Sequence, residues 1–372
     1  MKPQRVYGQM SWKLQSDRVC AWLTQSGGHL GPVEFRLGRR VVAPYSVAPW
    51  WNEKLPGSVP VILRVLRGDF FCAPFGANTE AYRGERHPLH GETANGRWQL
   101  IESNGQRLHA RLRTRVRTGQ VDKLIELRDG HTAVYQRHRL VGMGGPMPVG
   151  HHAMLRFNSP GKITTSRFVF GQVCPVPFEN PAEGGYSTLK VGAEFDSLER
   201  VPLATGDYTD LSRYPARRGF EDLAMIVADD SQPLAWTAVT FPQERFVWFA
   251  LKDPRTLRET LFWISNGGRH QPLWEGRHVN VMGLEEVTSY FAFGLAASAR
   301  PNPLSARGFP TCLHLNRHRP TVVSYIMAVA EVPRGFDEVA RIEAVNGGVE
   351  LVSPKGARVR VALDWEFLRR EV

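Results

Sequence analysis

Short apolar or alternating runs, each bounded by glycine, proline, asparagine or aspartate, recur along almost the whole of this chain. GPVEFRL (31–37), RLHARLRTRV (107–116), HTAVYQRHRLV (131–141), RFVWFAL (245–251) and TVVSYIMAVAEV (321–332) are of this kind, and at least a dozen such runs can be counted. A period of two places successive side chains on opposite faces of a strand, so the pattern fits sheets and few helices. Arg128-Asp129-Gly130, Asn346-Gly347-Gly348 and Pro354-Lys355-Gly356 supply hairpin-like joints. Helical candidates are confined to PRTLRETL after Pro254, a segment of mixed periodicity from Glu285 to Ala299, and PRGFDEVARI at 333–342. Without helices alternating between the strands, a parallel βαβ sheet is excluded. The expectation is an all-β chain: large antiparallel sheets in two or three layers, with a few short helices. Prolines and glycines are spread evenly, with no linker and no repeat of fixed period, so one domain over residues 1–372 is expected and a propeller is disfavoured.

The formal charge of +11 raises the question of an anionic partner. Its carriers are scattered. The densest group, Arg111, Arg113, Arg115 and Arg117, alternates with Leu112, Thr114 and Val116, which reads as the wetted outer face of a sheet. No helix-turn-helix, zinc-finger spacing or RNP-type aromatic motif is present, so no nucleic-acid partner is expected. No apolar run reaches the roughly 18 residues of a membrane span, and the N-terminus MKPQRVYGQMSW lacks a signal core, so a soluble cytoplasmic protein is expected. Cys20, Cys72, Cys174 and Cys312 are widely spaced and fit reduced, buried thiols.

Three polar clusters are candidates for chemistry. HPLHGETANGRW (87–98) holds His87, His90 and Glu92, which are metal-ligating types, but their spacing matches no established zinc or iron pattern and no metal is expected. In MPVGHHAMLRF (147–157), His151 and His152 enter a strand from a Gly/Pro loop. In NVMGLEEVTSYFAFGL (280–295), Glu285 and Glu286 sit in apolar surroundings, where a carboxylate is costly unless it is paired or used. Adjacent strand residues face opposite ways, so which histidine and which glutamate share a face stays open. The long irregular stretches at 142–148 and 174–185 are expected to be ordered loops of the kind that carry binding groups.

The order GGHLGPVEF (27–35), LHG (89–91), a histidine entering a strand (152) and MGLE (282–285) resembles that of the galactose mutarotase, or aldose 1-epimerase, superfamily. The resemblance implies a β-supersandwich and interconversion of sugar anomers by general acid–base catalysis with no cofactor. It further implies Glu285 as base and His152 as acid, with His90 and with Glu221 of RGFEDLAM on the sugar hydroxyls. Asn78 is the nearest match to the family's N-terminal sugar loop, and His151 is a second candidate for substrate contact. Gly91-Glu92 replaces a glycine pair, and Ala153-Met154 stands where an aromatic is usual. Trp98, Trp263 and Trp274 are candidates for a sugar platform. The excess of arginine adds the expectation that the sugar is anionic. The alternative is a non-catalytic carbohydrate-binding protein on the same fold.

Overall fold

The computed structural model describes residues 1–370. Every strand pairing within the sheets is antiparallel, and two large sheets dominate, one of nine strands and one of seven. The alternation read from the sequence explains why they stack. In the seven-stranded sheet, Ala224 and Ile226 of the strand Phe220–Ala228 turn toward the nine-stranded sheet, while Leu223, Met225 and Val227 turn away. From the nine-stranded sheet, Tyr325, Met327 and Val329 meet them, and a five-stranded meander built from residues 4–42 adds Leu14, Leu23 and Phe35 to the same core.

The outer face of each large sheet is also covered. Ile326, Ala328 and Phe249 of the nine-stranded sheet pack against a C-terminal three-stranded sheet through Ile342, Val349 and Leu351. The outer face of the seven-stranded sheet is covered by loops and by the short helix Val61–Val65, with Trp50, Ile62, Leu66 and Phe70 at the contact. Central strands buried on both faces follow from this layering. The candidate site lies under those loops.

The three helical expectations are corrected. After Pro254 the chain makes one turn, with Thr256 and Leu257 N–H donating to the Asp253 carbonyl, and enters the strand Glu259–Asn266. Residues 333–342 form turns leading into the strand Arg341–Val345. The segment from Glu285 divides: Val281–Thr288 is a fully buried strand, and only Leu295–Ala299 is helical. Burial on both faces erased the period of two that would have marked the strand.

Candidate active site

Two adjacent strands of the seven-stranded sheet carry the acidic and basic groups. Val149–Leu155 and Val281–Thr288 are paired so that His152 stands directly opposite Glu285, and His151 opposite Glu286. Register therefore decides between the neighbours. His152 and Glu285 face outward into a cavity of about 240 Å³ beneath the loops, with His152 Nε2 3.2 Å from Glu285 Oε1. His151 and Glu286 face the inter-sheet core. His151 Nδ1 donates to Asp69 Oδ2 at 2.9 Å, and Lys252 Nζ meets Glu286 Oε2 at 2.5 Å. The expectation of a substrate contact from His151 is thus corrected, since its ring is fully buried on the opposite face of the sheet.

His90 completes a triangle with the first pair. Its ring centroid lies 5.0 Å from that of His152, edge to face, and His152 stacks on Phe70 at 4.5 Å. His90 Nδ1 accepts from the Gly76 N–H at 3.3 Å, which leaves Nε2 as the protonated nitrogen of the neutral ring. The backbone turns sharply here: His90 has φ 57°, and Gly91, at φ 75°, lies so close to Ala73 that an added Cβ would stand 2.2 Å from the Ala73 carbonyl oxygen. Only glycine fits there. Asn78 works on the same loop, donating from Nδ2 to the Gly76 and Pro88 carbonyls and accepting at Oδ1 from the Leu295 N–H. Its amide serves the loop backbone and Asn78 is not among the residues lining the cavity, which corrects its assignment as a sugar contact.

Glu221 sits behind the wall of the cavity. It is fully buried; Trp263 Nε1 donates to its Oε2 at 3.2 Å, Ser265 Oγ donates to its Oε1 at 2.8 Å, and Arg269 approaches to 4.0 Å. It acts on Trp263 and Arg269, both of which line the cavity, and does not itself reach the space expected for a sugar. Sequence reading missed Arg269, which follows the Gly267-Gly268 turn and is held at 2.6 Å by Glu179. It also missed Phe178. Both Phe178 and Glu179 come from the irregular stretch 174–185, whereas 142–148 contributes the short strand Gly145–Met147, remote from the cavity lining. Of the three tryptophans, Trp263 and Trp274 line the cavity, and Trp98 is a core residue whose Nε1 donates to the Thr93 carbonyl.

The metal-type trio is dispersed. His87 Nε2 lies 3.0 Å from Glu85, itself bound to Arg117, while Glu92 accepts the Arg115 and Val116 N–H groups, and His90 alone enters the cavity. Among the described residues, no group of three or more His, Cys, Asp or Glu is arranged to hold a metal ion.

Burial sets the proton affinities. Desolvation pushes the Glu285 carboxyl well above its usual 4.5 and pushes His152 well below 6.5, His152 being lowered further by the neighbouring imidazoles. Burial also lowers His90 to about 3 and raises Glu221 to about 8, the latter against the opposing pull of Arg269 and Ser265. Both shifts favour the uncharged forms of a pair whose imidazole nitrogen and carboxyl oxygen lie 3.2 Å apart. Transfer of one shared proton from Glu285 Oε1 to His152 Nε2, atoms 3.2 Å apart, makes the same pair a carboxylate and an imidazolium.

Solved structures share this architecture. A candidate aldose 1-epimerase of Escherichia coli K12 superposes with a TM-score of 0.61 at 13% identity, covering 87% of this chain and 100% of that one. A galactose mutarotase related enzyme of Lactobacillus acidophilus gives 0.56 at 11% identity over 87% and 100% of the two chains. A galactose mutarotase-like protein of Lactobacillus casei gives 0.56 at 8% identity over 86% and 100%. The chain thus has the galactose mutarotase-like fold. No family model and no curated protein sequence matches it.

Proposed function

We propose that the protein is an aldose 1-epimerase-like isomerase, interconverting the anomers of a free sugar. The observation that carries this reading is the cross-strand pair of Glu285 and His152, 3.2 Å apart in a sugar-sized cavity. Anomerisation removes the proton of the C1 hydroxyl and delivers one to the ring oxygen; the bond between C1 and the ring oxygen breaks, the C1–C2 bond rotates, and the ring recloses on the other face of the aldehyde. Proton count is conserved, so one carboxylate and one imidazolium suffice. Glu285 takes the hydroxyl proton, His152 protonates the ring oxygen, and the roles reverse on closure. Each contributes about 10²- to 10⁴-fold. His90 Nε2 and the Arg269 guanidinium are left to hold other hydroxyls, with Glu221 positioning Arg269 and Trp263.

An anionic sugar gains no support from the site. Among the described residues lining the cavity, Arg269 is the sole Lys or Arg, and Glu179 and Glu221 already oppose its charge. The test of function is exchange NMR between the anomeric signals of free aldoses, with and without protein. Glu285→Gln and His152→Asn are each expected to slow exchange by about 10²-fold or more while leaving sugar binding measurable. Full exchange in either variant rules out its role, and binding without any exchange by the parent protein favours a carbohydrate-binding protein instead.

A further inference from the structure

The cavity is poor in hydrogen-bonding groups for a hydroxyl-rich ligand. Among the described residues, Glu285, His152, His90 and Arg269 are the only ionisable ones lining it; the remainder are aliphatic or aromatic, and Trp263 has its one donor committed to Glu221. The apolar character extends to the rim, where Leu63, Leu89, Phe178, Trp274 and Ala292 are only partly buried. An aldohexopyranose brings five hydroxyls and a ring oxygen. If the anomeric hydroxyl and the ring oxygen occupy Glu285 and His152, two side chains remain for four hydroxyls. A hydroxyl desolvated against Leu or Phe without a partner is penalised, whereas hydrogen or methyl at that place gains from burial.

We infer, resting on the isomerase reading above, that the preferred substrate is an aldose of reduced hydroxyl count: a deoxy sugar or a methyl ether, whose apolar side lies against Leu63 and Leu89. His152, Glu285 and His90 cluster together, whereas the Arg269 guanidinium lies over Phe178 and Trp274, 5.4 and 4.7 Å from their ring centroids, so the purely aliphatic part of the wall is Leu63 and Leu89. A wall of this kind discriminates by about 10- to 200-fold per apolar group gained.

The experiment compares matched pairs: galactose with 6-deoxygalactose, and glucose with 6-deoxyglucose and 3-O-methylglucose, by anomer-exchange NMR corrected for uncatalysed exchange. At least one derivative is expected to exceed its parent about tenfold or more in kcat/KM. Parents exchanged as well as or better than every derivative would overturn the inference. If no sugar is exchanged, the isomerase reading fails, and the same pairs are compared for binding by calorimetry: tighter binding of a derivative upholds the ligand class, and equal or weaker binding overturns it. Leu63→Gln, at the partly buried rim, supplies the missing hydroxyl partner and should reduce the preference for derivatives several-fold. A preference unchanged in this variant removes Leu63 from the discriminating wall and overturns the placement of the apolar side.

Discussion

Gly283 shows how a single side chain's absence shapes the site. It lies two residues before Glu285 on the same face of the strand, where an added Cβ would stand 2.6 Å from Glu285 Oε1 and 3.0 Å from Trp263 Cβ. The clash with Trp263 is slight and the carboxylate can swing aside, so the fold should tolerate the change while the acid–base pair does not. Gly283→Ala is expected to keep its melting temperature within a few degrees and to lose most of its anomer exchange, mainly in kcat. Unchanged exchange would show that the carboxylate has room to spare. The shared proton makes a second prediction at this scale. The acid limb of the pH–rate profile requires a second proton on His152, whose affinity burial has lowered well below 6.5, and the alkaline limb requires loss of the pair's proton, which Glu285 holds well above 4.5. The acid limb should therefore lie below 6.5 and the alkaline limb above 4.5. A limb centred at the ordinary imidazole value would contradict the buried assignment.

At the scale of strands, the two faces of one pair of elements do different work. Outward, His152 and Glu285 reach the cavity; inward, Glu286 is bound by Lys252, Thr237 Oγ1 and Thr260 Oγ1, all nearly or fully buried. Removing one member leaves the other as a buried, uncompensated charge. Lys252→Met is thus expected to destabilise the chain by about 3–5 kcal/mol, read from chemical denaturation, with exchange activity retained in whatever fraction remains folded. This division was hidden from the sequence. His151-His152 and Glu285-Glu286 are adjacent like residues, and only hydrogen-bonded register says which faces which layer. The strands themselves were legible wherever one face was wetted, as in RLHARLRTRV, where Leu108, Ala110 and Leu112 are buried between exposed or half-buried arginines and a histidine. Where both faces are buried, as in VMGLEEVT, alternation vanishes, and the residues from Glu285 onward read as part of a helical segment. His90 is legible through the LHG of 89–91, on which the resemblance rests. Arg269 is not, since an arginine after Gly-Gly looks like any surface loop until a buried glutamate is found behind it.

Across the whole molecule, the buried ionisable groups oppose one another in their dependence on pH. His29, His90 and His278 are lowered by burial to about 3, and His138 and His152 lie well below 6.5. Their folded affinity is depressed, so the stability they allow is intact above 6.5 and is lost as pH falls toward 3. Glu221 and Glu259 are raised by burial to about 8, and Glu285 lies well above 4.5. For these the sign reverses: stability is greatest below 4.5 and is lost as pH rises through about 8. Between 4.5 and 6.5 the two sets largely offset each other. Between 6.5 and about 8 these histidines no longer change, and Glu221 and Glu259 each cost about 1.4 kcal/mol per pH unit. Thermal melting should therefore peak in mild acid and decline through pH 8. Glu259 isolates the cause, because it lies outside the cavity lining, with Oε1 unpartnered and Oε2 accepting only the Ser289 N–H at 3.2 Å. Glu259→Gln removes the charge that must be neutralised, and should stabilise the chain by about 4 kcal/mol near pH 7.5 while changing little below 4.5. A variant whose melting curve runs parallel to that of the parent at every pH would show that Glu259 is not held protonated in the folded chain.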